Sequence, residues 1–451
     1  MTRTQPAMFR SFSVFNYRVW FIGALVSNIG AWMQATALSW VVLTQLTDND
    51  ATAMGITMAL QFAPPLLLVG LTGWVADRFD RRRLLFVTQG LLMGLGIVIG
   101  ALLLTGSMNL LTMYAFAFGL GVVSAFDNPA RQAFVSDLVA HENASNAVAL
   151  NAASFNTARM IGPAVAGFVI VAVGTGWVFL LNGATFLAML IALALIRVDE
   201  LTPRPKMRSA AKMADGLRYV KGRPDLVVIF IMVFLLGAFG MNFPILASTM
   251  ALEFGQEADG YGILSSILAI GSLAGALLAA RRDRARLRVV IIGLGLFAAA
   301  SVLSAVMPLY GLYAVTLVFI GFSTVTILTT ANGYVQTTTE PTLRGRVLAL
   351  YMAILMGGTP FGAPIIGWAA DAFGPRAAIL VGAGAALLAF GIGLTWLIVS
   401  GRLRRHENRR FALTIAETRP ITVVAPEEFS DEVAGTTPIR VPDEAGSRSR
   451  S

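Results

Sequence analysis

Three ionisable side chains stand in or beside long apolar runs of this sequence, where a charge needs a partner. Asp127 and Arg131 lie one helical turn apart, and Arg159 lies in the next apolar run. An arginine keeps its proton, so Arg159 needs an acceptor inside an apolar environment, and we expect Asp127 to be that acceptor. Two arginines and a proton that compete for one carboxylate could couple protonation to a structural change. The alternative is a static ion pair that positions two helices.

The elements that must position these charges are apolar segments of membrane-spanning length. The chain has 451 residues, of which 56% are hydrophobic and 13% charged, with a mean hydropathy of +0.72. Soluble domains have about 45–50% apolar and about 25% charged residues. A helix needs about 20 apolar residues to cross a bilayer, and these runs do not alternate as barrel strands do. The sequence therefore predicts an all-α polytopic membrane protein with twelve transmembrane helices, at residues 18–44, 54–76, 84–104, 109–130, 147–174, 177–196, 226–251, 260–280, 289–306, 311–337, 346–373 and 376–399.

Basic residues divide between the two ends of these predicted helices and indicate their orientation. Nearly every Lys and Arg lies in the N-terminal segment, in alternate connections or after the last span, and the opposite connections hold only Arg376. Since basic residues are retained in the cytoplasm, we predict a multi-pass inner (plasma) membrane protein with both termini cytoplasmic. The net charge of +9 is then explained by membrane topology and does not indicate a nucleic-acid-binding surface.

A polar segment divides the predicted helices into two sets of six. We predict a cytoplasmic N-terminal segment at 1–17, six-helix bundles at 18–196 and 226–399, a cytoplasmic linker at 197–225, and a disordered cytoplasmic tail at 400–451. The bundles carry a weak internal repeat, which is common in secondary transporters. Its members are Gly162, Gly167 and Gly174, which recur 200 residues later as Gly362, Gly367 and Gly374, and DRRRL at 80–84, which resembles DRARL at 283–287.

The composition argues against metal, nucleotide and hydrolytic chemistry. The chain has no cysteine and two histidines, His141 and His406, so a metal site is not expected. It has no glycine-rich loop of the kind that binds ATP phosphates, and no paired carboxylates or Ser/His/Asp set at membrane depth. We therefore expect neither a cofactor nor an enzyme activity.

The connection after the second predicted helix, within GWVADRFDRRRLL at 73–85, places six charges in seven positions. Interfacial anchoring explains the cations but not Asp77 and Asp80. The pattern resembles the loop signature of the major facilitator superfamily, G-x-L-A-D-R-x-G-R-R, with Val75 and Asp80 as departures. In that family the loop aspartate pairs with an arginine of the fourth helix and latches the outward-facing state, which implies a pair between Asp77 and Arg131. The residues that this resemblance assigns to a conformational gate are Gly73, Asp77, Arg78, Arg81, Arg82 and Arg131.

Longer stretches resemble the drug and siderophore exporter branch of the superfamily, over nearly all of residues 8–400. They include FDNPARQAFV at 126–135, NAVALNAASFNTARMIGPAVAG at 146–167 and LRGRVLALYM at 343–352. Gly162, Pro163 and Gly167 resemble the antiporter motif of the fifth helix, with Ala166 where the motif has glycine. The resemblance implies two pseudo-symmetric six-helix bundles that export a small molecule by alternating access. Proton coupling, with Asp127 and Arg159 as candidates, is the expected energy source.

In that fold the first, fourth, seventh and tenth helices line a central cavity. The candidate substrate-binding residues are therefore Asn28, Trp32, Gln34 and Asn242. Methionine and aromatic side chains beside them suit a large amphipathic cargo, cationic or neutral, although such residues also fill ordinary cores. We expect a monomer whose partners are this small molecule, protons and the lipid bilayer.

Several alternatives stay open. Relatives often carry an aspartate late in the first helix, whereas this sequence has ALSWVV at 37–42, which allows a facilitator or coupling through Asp127 alone. A lipid or lysophospholipid flippase of the same fold would act without a pH gradient, and a non-transporting membrane scaffold is a further hypothesis. Three carboxylates near span ends, Glu253, Glu340 and Asp371, are assigned structural or rim roles.

Overall fold

The computed structural model describes residues 7–202, 213–282, 284–400, 403–405 and 413–415. The side chains of residues 7, 8, 73, 74, 76, 77, 213, 403–405 and 413–415 are outside this description. Its membrane region is all-α, as predicted. The α-helices are α1 Phe15–Thr44, α2 Ala51–Leu67, α3 Val69–Arg78, α4 Arg81–Leu104, α5 Leu110–Phe134, α6 His141–Val173, α7 Thr175–Leu195, α8 Met213–Lys221, α9 Pro224–Leu235, α10 Phe243–Glu253, α11 Ala258–Ala280, α12 Leu287–Val306, α13 Tyr310–Thr338, α14 Arg344–Phe373 and α15 Pro375–Val399.

Short elements complete the described chain. Three 3-10 helices span Ala7–Ser13, Val135–Asp137 and Val198–Glu200. In the tail that we predict to be disordered, β1 Leu403–Arg405 pairs antiparallel with β2 Leu413–Ile415, and residues 401–402, 406–412 and 416–451 lie outside the described chain.

Eleven helical segments of the described chain are long and apolar enough to cross a membrane. The remaining predicted crossing is the second, where the shorter apolar helix α2 continues into α3 through Leu68. Pro64 and Pro65 lie in the last turn of α2 and supply no backbone N–H, so they weaken the helix where it breaks.

The seventh crossing is also broken. Helix α9 leads into a π-helical turn at Leu236–Gly240, and α10 begins after it at Phe243. Asn242, fully buried between the two parts, donates Nδ2–H to the carbonyl of Ala238 at 2.6 Å. π-Helical turns often mark functional positions. This one divides the crossing into two segments that both pack on α14 and α15, while only α10 also packs on α11, α1 and α2 among the main contacts.

The helix contacts repeat between the two halves of the chain. In the first half α1 packs on α6 and α7, α4 packs on α5 and α7, and α2 packs on α5. The second half has the matching pairs: the α9–α10 crossing with α14 and α15, α12 with α13 and α15, and α11 with α13. Two pairs, α2 with α14 and α6 with α11, join the halves and are themselves equivalent under this repeat.

Glycines make the two joining contacts close. We call the end of the bundle at which α1 begins and α15 ends the termini face, and the opposite end the far face. A Cβ on Gly167 would lie 2.6 Å from the Ala258 carbonyl oxygen, and one on Gly367 would lie 2.2 Å from that of Ala51. Conversely, a Cβ on Gly262 would lie 2.4 Å from the Pro163 carbonyl oxygen, and one on Gly55 2.4 Å from that of Ala363. The halves therefore meet backbone to backbone near the far face.

Candidate functional site

A buried carboxylate organises a polar cluster inside the first half. Asp127, on α5, is 3% exposed. Its Oδ1 accepts hydrogen bonds from Thr88 Oγ1 and Gln89 Nε2 of α4, both at 2.7 Å. Its Oδ2 pairs with Arg131 Nε, one turn along α5, at 3.2 Å. Both oxygens of this buried carboxylate therefore have partners, two neutral donors on Oδ1 and an arginine on Oδ2.

Arg131 extends this cluster to α1. Its guanidinium donates to Asn28 Oδ1 at 3.0 Å and to Ser27 Oγ at 3.4 Å. The cluster thus ties α1, α4 and α5 together within one half. Asp77 was expected to pair with Arg131, but its side chain lies outside the described residues, so that pairing stays a prediction.

Arg159 does not pair with Asp127, contrary to the sequence-based expectation. Its guanidinium carbon lies 5.7 Å from the ring centre of Trp32, and Trp32 makes an edge contact with Phe155 at 5.8 Å between centroids. The reason is packing: α6 lies against α1, so Arg159 meets an aromatic face there, while the oxygens of Asp127 receive donors from α4 and α5. Among the described residues, Arg159 has neither a hydrogen bond nor an ion pair.

The connection between α3 and α4 holds several predicted gate residues. Gly73 and Asp77 belong to α3, which ends at Arg78. The surroundings of these two residues are outside the described part of the structure. Arg81 pairs with Asp137 at 3.4 Å, with 16% and 10% of the side chains exposed. The partner Asp137 follows α5 and was not predicted, because FVSD at 134–137 matched no motif. This pair joins two connections of the termini face.

Two other charged side chains of this connection cap helix ends. Arg82 donates Nε–H to the Leu193 carbonyl at 2.8 Å and so satisfies the last turn of α7. Asp80 caps α4, since its side chain accepts from the backbone N–H of Arg83 at 2.8 Å. Capping explains why aspartate stands where the superfamily signature has its second glycine.

The predicted antiporter motif divides its glycines between two partners. Gly162 faces α1, and a Cβ there would lie 2.6 Å from Trp32 Cβ and 3.1 Å from the Ile29 carbonyl oxygen. Gly167 and Pro163 face α11 of the other half. The motif therefore packs α6 both within its own half and across the joint between halves.

The predicted substrate-binding residues fall into two groups. Asn28 and Gln34 are buried and engaged, Asn28 with Arg131 and Gln34 as acceptor from Asn182 Nδ2 at 2.7 Å. Asn242 is buried against its own helix. Trp32 alone of the four is half-buried, beside Arg159.

A carboxylate assigned to a rim role joins the halves. Asp371, near the end of α14, accepts from the backbone N–H groups of Ala51 and Thr52, both at 2.8 Å, and from Thr52 Oγ1 at 2.5 Å. It therefore caps the N-terminus of α2, where the helix dipole favours negative charge. Nearby, Glu253 pairs with Arg376 at 2.5 Å and links α10 to α15.

The second half has its own buried pair near the termini face. Asp225, 3% exposed, makes a two-pronged pair with Arg223 at 2.9 and 2.7 Å and accepts from Tyr334 Oη at 2.9 Å. The hydrogen bonds to Asp225 raise the pKa of Arg223. The pair fixes the start of α9 against α13.

Two bundles with equivalent helix contacts, joined at two glycine-lined crossings, define a membrane transporter fold. The family model described as transmembrane secretion effector matches residues 7–412, and the chain belongs to this family, in the drug and siderophore exporter branch of the major facilitator superfamily. It is therefore a multi-pass membrane transporter that acts on small molecules.

Curated relatives cover most of the chain. It is 26% identical to the staphyloferrin A transporter of Staphylococcus aureus (strain NCTC 8325 / PS 47), over 79% of this chain and 90% of that protein. It is 24% identical to the enterobactin exporter EntS of Salmonella typhi, over 86% and 93%.

Solved structures share the fold. A bacterial homolog of the human lysosomal transporter Spinster, inward-facing and occupied, superposes with a TM-score of 0.68 at 13% identity, covering 87% of this chain and 97% of that one. A D-xylose-proton symporter gives a TM-score of 0.67 at 15% identity, covering 86% and 97%. These relatives and neighbours are transporters rather than enzymes.

Proposed function

We propose that this protein is a proton-coupled exporter of an amphipathic, siderophore-like small molecule and that it works by alternating access. The observation that carries the proposal is the pair of equivalent joints, α2 with α14 and α6 with α11. Each joint is a glycine-lined contact near the far face. Two equivalent joints allow the halves to rock as bodies about a central pocket, which is how such repeat-built transporters expose a midplane site to either side.

Several contacts hold the two halves together near the far face in this conformation. Besides the glycine contacts, the Asp371 cap ties α14 to the start of α2, and Trp40 of α1 stacks on Tyr261 of α11 at 6.0 Å between centroids. Opening this face requires these contacts between the halves to separate. The Arg81–Asp137 pair and Asp77 would guard the opposite, termini face in the alternate state.

Asp127 is the proposed proton-coupling residue. Arg159, the other candidate from the sequence, is left out of this role because it does not contact Asp127. Its neighbours Thr88, Gln89 and Arg131 come from two helices of the first half, and Arg131 reaches Asn28 of α1. Protonation would release the Arg131 charge and loosen the link between α5 and α1. This is the change that a proton must cause if it is to bias one conformation.

The orientation and the cargo belong to the same proposal. The distribution of basic residues supports a cytoplasmic termini face, and export of the cargo would then proceed toward the far face. The names of the relatives, a staphyloferrin A transporter and an enterobactin exporter, support a siderophore-like cargo. We propose a monomer as the functional unit.

The test is substrate flux in proteoliposomes. Purified protein is reconstituted, enterobactin or staphyloferrin A is supplied on the termini side, and transport is followed with and without an imposed pH gradient. Transport that accelerates with the gradient supports a proton-coupled exporter. Equal transport without a gradient supports a facilitator, and movement of a labelled lysophospholipid instead supports a flippase. No flux of any compound supports the scaffold hypothesis.

A further inference from the structure

Arg159 is a cation at membrane depth that has no acceptor among the described residues. Among the described residues of the membrane helices, three charged side chains lie more than one turn inside their helical segments: Asp127, Arg131 and Arg159. Asp127 and Arg131 neutralise each other. Arg159, near the middle of α6, is half-buried and has no ion pair or hydrogen bond among described residues. The described interior of the first half therefore carries one uncompensated positive charge.

Burying an arginine at this depth without a counter-charge costs free energy unless water or a ligand accepts its hydrogen bonds. Intramembrane arginines normally face a partner or a water-filled cavity, and the Arg159 nitrogens are not among the fully buried atoms that lack a partner. The guanidinium nitrogens are therefore not fully enclosed by the protein and can be reached by water or a ligand. A guanidinium keeps its charge and presents a planar fork of donors that fits a carboxylate or another two-oxygen anion.

The surroundings of Arg159 suit an aromatic ligand. Trp32 lies at 5.7 Å from the guanidinium carbon, and Phe155, one turn from Arg159 on α6, is 46% exposed and packs edge-on against Trp32. A ring that stacks on these side chains can place an attached anionic group at the guanidinium. Cation–π contact with Trp32 stabilises the arginine while the site is empty but does not use its hydrogen-bond donors.

We propose that Arg159, Trp32 and Phe155 form a substrate subsite that selects an anionic group carried on an aromatic body. This assignment rests on the proposed transport function and deepens it by naming the chemical class of the cargo. It replaces the cationic or neutral cargo that the sequence analysis favours, because that expectation considered only the methionine and aromatic residues of the cavity and not the charge of Arg159. Arg159 becomes a specificity-determining residue, separate from the Asp127 cluster.

The experiment compares two ligands that differ by one charge. 7-Hydroxycoumarin-3-carboxylate and its 3-carboxamide share a fluorescent ring, and binding of each to the purified full-length protein in detergent is measured by fluorescence anisotropy. We expect the carboxylate to bind about tenfold or more tightly than the amide, the size of one charged hydrogen-bond contribution. Arg159→Gln should abolish this preference and leave the amide affinity within about twofold, while Arg159→Lys should retain part of it.

A matched variant controls for general electrostatics. Arg18→Gln removes an exposed arginine near the start of α1 and should leave the preference unchanged. A preference that survives in Arg159→Gln, a wild-type preference for the amide, or binding of neither probe would each overturn the subsite. Because the readout is binding and not flux, a protein that prefers the carboxylate but moves nothing in proteoliposomes would refute only the transport mechanism.

Discussion

Asp371 at the end of α14 receives two hydrogen bonds from Thr52 at the start of α2, from its backbone N–H at 2.8 Å and its hydroxyl at 2.5 Å. The two residues belong to opposite halves of the chain. The repeat places Val171 at the position equivalent to Asp371, 200 residues earlier, and valine cannot accept a hydrogen bond through its side chain. The α6–α11 joint therefore lacks this carboxylate cap, and the two joints differ chemically despite equivalent helix packing.

Asp371→Asn should weaken closure of the far face. The amide keeps one acceptor oxygen but loses the charge that interacts with the α2 N-terminus, a change worth about 1 kcal/mol, or about fivefold in the ratio of closed to open states. Since the chain has no cysteine, spin labels on Asp48→Cys and Phe373→Cys can report the distance across the far face by pulsed electron paramagnetic resonance. The longer distance should gain population.

The control for this variant is Glu257→Gln. Glu257 precedes α11 as an exposed N-cap residue with no side-chain capping bond, so its neutralisation should leave the distance distribution unchanged. Identical distributions for Asp371→Asn and the parent protein would remove Asp371 from the closing contact.

Gly167→Ala should obstruct the other joint. The added methyl would lie 2.6 Å from the Ala258 carbonyl oxygen and 2.7 Å from Asp259 Cα, so α6 and α11 must move apart, at a cost of about 1–3 kcal/mol. We expect initial transport rates in proteoliposomes to fall about tenfold. Gly90→Ala, where nothing lies within 4 Å of the new methyl, should transport within about twofold of wild type. Equal rates for both variants would show that close approach at this joint is dispensable.

Asp127→Asn should separate proton coupling from substrate movement. The variant keeps a side chain of the same shape beside Thr88 and Gln89 but can no longer be charged, so the state of Arg131 ceases to depend on a proton. We expect pH-driven efflux to be lost while exchange down a substrate gradient continues, with both rates measured in the same vesicles. Glu142→Gln, an exposed carboxylate in the first turn of α6, should keep both. Full pH-driven efflux in Asp127→Asn would place the coupling group elsewhere.

Asp225→Asn should lower stability rather than alter transport directly. It removes the charged acceptor of Arg223 at a position that is 3% exposed, which costs about 1–3 kcal/mol. Thermal unfolding of the purified protein should show a lower midpoint. Glu200→Gln breaks a pair with Arg197 whose side chains are 45% and 59% exposed and should change stability by at most about 1 kcal/mol. If the two variants unfolded at the same temperature, the buried pair would contribute no more than a surface pair.

The membrane helices were predictable because an apolar run reports directly on burial in lipid. The predicted span 311–337 corresponds to Tyr310–Thr338, and 346–373 to Arg344–Phe373. The breaks were not predicted. Pro64 and Pro65 were visible in the sequence, but hydropathy averages over a window and does not show where a helix changes direction.

Side-chain partners were harder to predict than helices. Sequence position gives the depth of Arg159 in the membrane but not the direction in which it points around α6, and that direction sends it to Trp32 instead of Asp127. Asp371 was assigned to a rim because its depth is near a helix end. Its partner belongs to a helix of the other half, and no spacing rule within one segment connects them.

One piece of the divided seventh crossing contacts both halves of the chain. The piece near the far face, α10, touches α1 and α2 of the opposite half as well as α11, α14 and α15 of its own. The other piece, α9, packs on α13, α14 and α15 of its own half. The π-helical turn and Asn242 lie at the junction between the two pieces. The position of α10 therefore depends on the packing of both halves, whereas that of α9 depends mainly on the packing of its own half.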